Sequence, residues 1–253
     1  MAQIDKPSLH FNTLLYTATG TQSVTGAGFQ PDISWVKPRS ATGSHYIADA
    51  VRGATKTISP NSTSAEGTQN LFTSFDSDGV SLGSDNWSDN RTAVIWNWKA
   101  GGGQGSSNTD GSINTTYTSV NTTAGFSISQ YTGTGANATV GHGLGVVPKM
   151  IIFKVLGSST DWVVYHVGVG NTGALRLNNT NTTQTNSVFF QNTTPTSSVF
   201  SIGTGSDLNT SGQSHIAYAF AEKQGYSKFG SYAGNNNADG TFVYTGFKPK
   251  LIM

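Results

Sequence analysis

Three short stretches of this 253-residue chain combine residue types and spacings that chemistry uses. Gly168-Val169-Gly170-Asn171-Thr172-Gly173 matches the GxGxxG turn that receives a dinucleotide pyrophosphate when a helix N-terminus comes directly after it. The next residues, Ala174-Leu175-Arg176-Leu177-Asn178-Asn179-Thr180, lack a helical pattern, so the stretch reads as a turn. Ser74 to Asp85 partly matches a calcium loop, with Asp76 and Asp78 at alternate positions, Gly79 sixth and Asp85 twelfth. Ser at the first position, Asp in place of a bidentate Glu at the last, and no flanking helices favour a solvated Asp-Gly hairpin. Asp76, Asp78 and Asp85 are therefore calcium candidates within an expectation of no metal site. The third stretch is Ser84-Asp85-Asn86-Trp87-Ser88-Asp89-Asn90-Arg91, an indole in a wholly polar setting. Trp87 could stack on the apolar face of a pyranose while Asn86, Asp85 and Asp89 bind its hydroxyls. The same pattern also fits a loop tryptophan folded back onto a core or buried at a subunit contact.

Other chemistry finds no support. His10, His45, His142, His166 and His215 show no HxH, HxxxH or HExxH spacing, and His142 between two glycines reads as a turn residue. No GxSxG elbow is present, and the sparse acids sit mostly in turn contexts rather than as the paired carboxylates of a glycosidase. The expectation is no catalytic residue, no cofactor and no enzyme.

The elements that would position these residues are strands. Alternating runs such as Ile33-Ser34-Trp35-Val36-Lys37, Met150-Ile151-Ile152-Phe153-Lys154 and Trp162-Val163-Val164-Tyr165-His166 recur between Gly, Ser, Thr and Asn clusters. Asp78-Gly79, Asp110-Gly111 and Asp239-Gly240 supply hairpin turns. No window of a dozen residues keeps a helical apolar stripe, so helix content should be low. Trp96 and Trp98 share a strand face with Val94, as Ile216, Tyr218 and Phe220 do, and both sets read as sandwich core. The composition also excludes several functions. Fourteen basic against thirteen acidic side chains give +1, no field for nucleic acid or anionic lipid. No apolar run approaches the ~20 residues that span a bilayer, Met1 to Pro7 has no apolar leader, and zero cysteines exclude disulfides.

An internal repeat is the strongest organising signal. Tyr16-Thr17-Ala18-Thr19-Gly20, Gly28-Phe29, Pro31 and Trp35-Val36-Lys37 are echoed by Tyr131-Thr132-Gly133-Thr134-Gly135, Gly143-Leu144, Pro148 and Ile152-Phe153-Lys154. A third echo runs from Tyr232 through Tyr244-Thr245-Gly246-Phe247 and Pro249 to Leu251-Ile252-Met253. A period near a hundred residues suits β-sandwiches. The expected fold is all-β, with two tandem jelly-roll or lectin-like β-sandwich units and a partial third repeat. Residues 1–100 form the first unit, 101–125 a Gly/Ser/Thr/Asn-rich linker and 126–228 the second unit. Residues 229–253 are either the start of a third repeat or the closing strands of the second.

The combination Asn121-Thr122-Thr123-Ala124-Gly125-Phe126-Ser127-Ile128, Tyr131-Thr132-Gly133-Thr134-Gly135, Val140-Gly141-His142-Gly143-Leu144-Gly145 and Pro148-Lys149-Met150-Ile151-Ile152 resembles a repeat of predicted tail-fibre and virion-associated proteins of marine and cyanobacterial phages. Trp96-Asn97-Trp98-Lys99-Ala100-Gly101-Gly102-Gly103 and Phe229-Gly230-Ser231-Tyr232 resemble the inter-repeat signature of that family. The resemblance implies a virion setting, in the host cytoplasm during assembly and outside it after lysis, and an adhesive role. The expected partners are other virion subunits, bacterial surface carbohydrate and further copies of the chain, a trimer among the assemblies open to it. Nucleic acid and membrane insertion are not expected. The alternative is a capsid decoration or structural fibre protein.

Overall fold

The computed structural model describes residues 3–253; Met1 and Ala2, the first residues of the stretch read for an apolar leader, lie outside them. The first half contributes β1 (Phe11–Thr17), β2 (Gln22–Thr25), β3 (Ile33–Pro38), β4 (Tyr46–Asp49), β5 (Gly53–Ile58), β6 (Gly67–Thr68), β7 (Phe72–Asp76), β8 (Gly79–Leu82) and β9 (Thr92–Trp98). The second contributes β10 (Tyr117–Asn121), β11 (Phe126–Thr132), β12 (Ala138–Gly141), β13 (Met150–Val155), β14 (Val163–His166), β15 (Gly173–Arg176), β16 (Gln184–Thr185), β17 (Val199–Ile202) and β18 (Ser214–Phe220). Two single-turn helices, α1 (Ser187–Phe190) and α2 (Ser206–Asn209), interrupt the second half. The chain is nearly all β, as its composition predicts. No helix among the described residues is long and apolar enough to cross a membrane.

The strands form antiparallel sheets ordered β1-β9-β3-β4-β5-β6 and β2-β8-β7 in the first half, and β10-β11-β18-β13-β14-β15-β16 and β12-β17 in the second. Aligning Tyr16 with Tyr131 turns one large-sheet order into the other, β1 onto β11 and β9 onto β18, with β10 added outside β11. Gly79 opens β8 at φ +150°, and a Cβ there would sit 2.0 Å from the Val24 carbonyl oxygen, so only glycine lets β2 pair at this point.

The layering differs from two separate sandwiches. The two large sheets pack on each other: Ile33, Ile47, Ile58 and Trp98 of one meet Phe126, Ile128, Ile152, Val164, Ile216 and Tyr218 of the other in one buried cluster. On its far side the first large sheet carries β2-β8-β7 over Leu14, Val36, Phe72, Val80 and Ile95. The second carries β12-β17 and α1 over Tyr131, Phe153, Tyr165, Phe190 and Phe200. The sets read as sandwich core, Trp96 with Trp98 and Ile216 with Tyr218 and Phe220, are thus the faces through which the halves meet, with the Trp98 and Phe220 rings 6.5 Å apart. Buried polar groups cross the same boundary. Tyr218 donates to Asp49 Oδ2 at 2.6 Å, Arg52 pairs with Asp49 at 2.6 Å and with Glu66 at 3.0 Å, and Trp162 Nε1 donates to the Ser59 and Ser62 carbonyls. Lys154 Nζ donates to the Thr63 and Thr160 carbonyls at 3.1 and 2.9 Å. Burial pulls its pKa down to about 8, against the attraction of Asp207 and Asp161.

The stretch 101–125, expected as a flexible linker, is built into the body. The N–H groups of Ala100, Gly102 and Gly103 converge on the buried Asp32 carboxylate at 2.6, 3.0 and 2.6 Å, and Gly102 and Gly103 reach this nest at φ +82° and +140°. Further on the same stretch supplies β10. Residues 229–253 form no strand; Leu251 packs against the central cluster, and Met253 lines a small apolar cavity in it with Ile33, Trp98 and Phe220.

Candidate functional site

The polar loops of the first half hold both candidate binding surfaces. At the first, the Trp87 loop, Asn86 is buried: it accepts from the Tyr16 hydroxyl at 3.1 Å and donates to the Gly20 carbonyl at 2.6 Å. Burial pushes the Tyr16 phenol up from its ordinary pKa. Trp87 is half-buried against the Leu14–Val80 cluster, with the Arg91 guanidinium 5.4 Å from its ring centroid. Arg91 in turn binds Asp89 through two hydrogen bonds, the Nε one at 2.7 Å, and these hold the Asp89 pKa down to about 2. Asp85 is exposed and accepts from the Asn70 N–H at 2.6 Å. Of the four residues expected to bind sugar, Asn86 is thus committed to the fold, while Asp85, Asp89 and part of Trp87 remain on the surface.

Asn86 has a counterpart that the repeat contains. Gly83-Ser84-Asp85-Asn86 parallels Gly205-Ser206-Asp207-Leu208-Asn209, and the buried Asn209 donates to the Ala136 carbonyl at 2.6 Å beside Tyr131, as Asn86 does beside Tyr16. A matched Asn latching the turn after each Tyr was the available signal that this amide is structural.

The calcium candidates are not brought together. Asp76 accepts from the Ser74 and Ser81 hydroxyls at 2.7 Å each, Asp78 from the Gly26 and Gly28 N–H groups at 3.2 and 2.6 Å, and Asp85 from Asn70. These carboxylates do not converge: Asp76 bonds within the β7–β8 hairpin, Asp85 bonds across its open end, and Asp78 ties the hairpin turn to the loop after β2; among the described residues no group of three or more His, Asp or Glu could hold a metal ion. Gly168–Gly173 is the β14–β15 turn, where Val169 and Gly170 N–H groups both donate to the His166 carbonyl at 3.0 Å. His142 is fully buried: its Nδ1 accepts from the Leu144 N–H and its Nε2 donates to the Thr196 carbonyl, while burial lowers its pKa.

The second surface was not foreseen. A cleft of about 250 Å³ opens between β4, β5, β6 and the turn at residues 59–66. It is lined by Ser44, Tyr46, Thr57, Ser59, Ser62, Ser64, Ala65, Gly67 and Gln69, with no charged side chain. Some of the lining is already bonded: Thr57 donates to Gln69 Oε1 at 3.1 Å, and the Ser62 and Ser64 hydroxyls meet at 2.8 Å. The hydroxyls of Ser44, Tyr46 and Ser59 and the Gln69 amide N–H groups have no partner among the described residues and face a space large enough for one sugar ring. Such a wall offers donors and acceptors to a neutral polyol, while the Tyr46 ring packs partly against the Leu14–Val80 cluster. The Ser59-Pro60-Asn61-Ser62-Thr63-Ser64 run carries this signal, but in a chain so rich in Ser and Thr it does not stand out.

The sequence matches, over residues 6–253, the family described as Domain of unknown function (DUF7483), and the chain belongs to that family. No curated protein and no solved structure matches it.

Proposed function

We propose that this chain is a non-enzymatic virion protein of a bacteriophage, carried on a tail fibre or tail tip, that binds a bacterial surface glycan. The single observation that carries the adhesive reading is the uncharged, hydroxyl-lined cleft around Tyr46, whose unpaired polar groups match a sugar and offer nothing to a charged polymer. The virion setting rests on the resemblance of the repeats to phage tail-fibre sequences. Binding to an array of bacterial surface polysaccharides tests the reading. The wild-type chain should bind at least one glycan, Tyr46→Phe should weaken binding severalfold, and Ser64→Trp, which fills the cleft, should abolish it with the melting temperature unchanged. No bound glycan, or variants that bind like wild type, would remove the proposal.

A second reading, a decoration or structural fibre protein, is favoured by one observation: Tyr232, Phe242, Val243, Tyr244 and Ile252 are exposed along the C-terminal segment, where another virion subunit could cover them. Immunogold labelling of intact particles separates a head-borne decoration protein from the adhesin, and a tail-borne chain that binds no glycan would be the structural fibre protein.

A further inference from the structure

The repeat makes the two halves controls for each other, and they differ at one sheet edge. In the second half β10 lies outside β11, pairing Tyr117 with Gln130, Ser119 with Ile128 and Asn121 with Phe126. The corresponding residues of β1 are Leu15, Thr13 and Phe11, and β1 ends its sheet with no strand outside it. Chain preceding β1 does not run along it: Ile4 donates to the Gln224 carbonyl, and Pro7–Leu9 forms a tight 3₁₀ turn.

In the β1–β9 ladder Tyr16 faces Ala93, Leu14 faces Ile95 and Asn12 faces Asn97, and the flanking bonds Lys99 N–H to His10 carbonyl and Ala18 N–H to Arg91 carbonyl fix which residues bond inward. Even-numbered residues of β1 therefore spend their backbone groups on β9, and Phe11, Thr13 and Leu15 direct theirs outward. Sheet edges are ordinarily protected by charge, proline or a bulge. Phe11-Asn12-Thr13-Leu14-Leu15-Tyr16-Thr17 has none of these, and Leu15 is 64% exposed.

We propose that β1 is a self-association edge, and that its occupant is β1 of a second copy, antiparallel across a two-fold axis at Thr13. The sequence is self-complementary in that register. Phe11 of each copy meets Leu15 of the other, both outward-bonding residues, so that exposed Leu15 covers the Phe11 ring that now lies half-buried against Trp98. Thr13 faces its own copy. The Asn12 side-chain Oδ1, which now accepts from the Thr13 N–H at 3.0 Å while its Nδ2 donates to the Gly26 and Ala27 carbonyls at 3.4 and 3.2 Å, yields the Thr13 N–H to the incoming strand. The join makes the two six-stranded sheets continuous. A ladder of this length buries less than the ~1,200 Å² of a standard interface, so the dimer is a weak one, with micromolar dissociation. The inference is independent of the glycan reading.

Sedimentation equilibrium of the whole chain from about 1 to 300 μM should show a monomer–dimer equilibrium that Leu15→Lys weakens at least tenfold at an unchanged melting temperature. Because the native chain has no cysteine, register is tested directly. Thr13→Cys should form a disulfide-linked dimer on mild oxidation, whereas Thr17→Cys should not, its two copies lying about 27 Å apart along the paired strands at 3.4 Å per residue. A monomer at every concentration, a dimer or higher oligomer indifferent to Leu15→Lys, or a cross-link at Thr17 in place of Thr13 would overturn the proposal.

Discussion

Asn86 and Trp87 are neighbours in sequence and opposite in role. The Asn86 amide spans two partners that have no other, the Tyr16 hydroxyl and the Gly20 carbonyl, inside a buried setting. Asn86→Ala should therefore cost roughly 1–3 kcal/mol, the usual consequence of leaving buried polar groups unpaired, and Asn209→Ala should cost a similar amount because the second half repeats the latch. Urea unfolding of the two variants checks this, and a cost near zero in either would refute the latch. Trp87 is only half-buried, and Arg91 covers part of its ring. If the loop touches glycan, Trp87→Ala should weaken binding by about 2 kcal/mol, the scale of an aromatic hot spot, with little loss of stability. Lost stability with unchanged binding per folded molecule would make Trp87 a core plug. Both readings were open in the sequence, because a polar neighbourhood says which residues surround an indole and nothing about which way it turns.

Strands and the internal repeat were legible because they rest on local rules, period-two alternation above all, whereas of the Asp-Gly pairs read as hairpin turns only Asp78-Gly79 joins two paired strands, β7 and β8, and Asp110-Gly111 and Asp239-Gly240 do not. What was not legible was which faces meet. Trp96, Trp98 and Tyr218 alternate in the same way whether their strand face meets a partner sheet in its own half or the other half. A signal did exist. Ile151-Ile152-Phe153 and Val163-Val164-Tyr165 are unbroken apolar runs, and strands that bury both faces read that way. The linker reading failed for a related reason. Gly101-Gly102-Gly103 resembles a flexible tether, but its glycines provide the positive φ that wraps N–H groups around Asp32. The C-terminal segment tests the element scale. Since residues 229–253 contribute no strand and only Leu251 and Met253 to the central cluster, ending the chain after Lys228 should leave the protein monodisperse, with a melting temperature lower by a few degrees at most, about 1–2 kcal/mol for a chain of this size. Aggregation of the truncated chain would mean that this segment completes the fold.

At the scale of the whole molecule, the halves are joined by an apolar layer with an ionic group set into it. Arg52 has a side-chain exposure of 1% and Asp49 of 0%, so both charges are out of water. They are also fully used: Arg52 bonds Asp49, Glu66 and the Ile47 carbonyl, and Asp49 accepts from the Arg52 N–H and from Tyr218 of the other half. A buried pair of this kind adds little net stability over an apolar replacement, because desolvation offsets the attraction, yet removing one partner strands a charge. Arg52→Met should accordingly cost about 3–5 kcal/mol, leaving the buried Asp49 carboxylate with only the residue-52 N–H and the Tyr218 hydroxyl and no counter-charge. Asp49→Leu should cost a comparable amount, since the partly exposed Glu66 is then the one counter-charge left to Arg52 beside the Ile47 carbonyl. The double variant should cost much less than the sum of the two, with a coupling energy of about 2 kcal/mol or more. If the halves share one core, all four proteins should unfold in a single transition by both fluorescence and circular dichroism. Additive single costs would deny the pair its role as a unit, and two separated transitions would show that each half folds by itself, with the pair internal to the first half and only its Tyr218 bond joining the second.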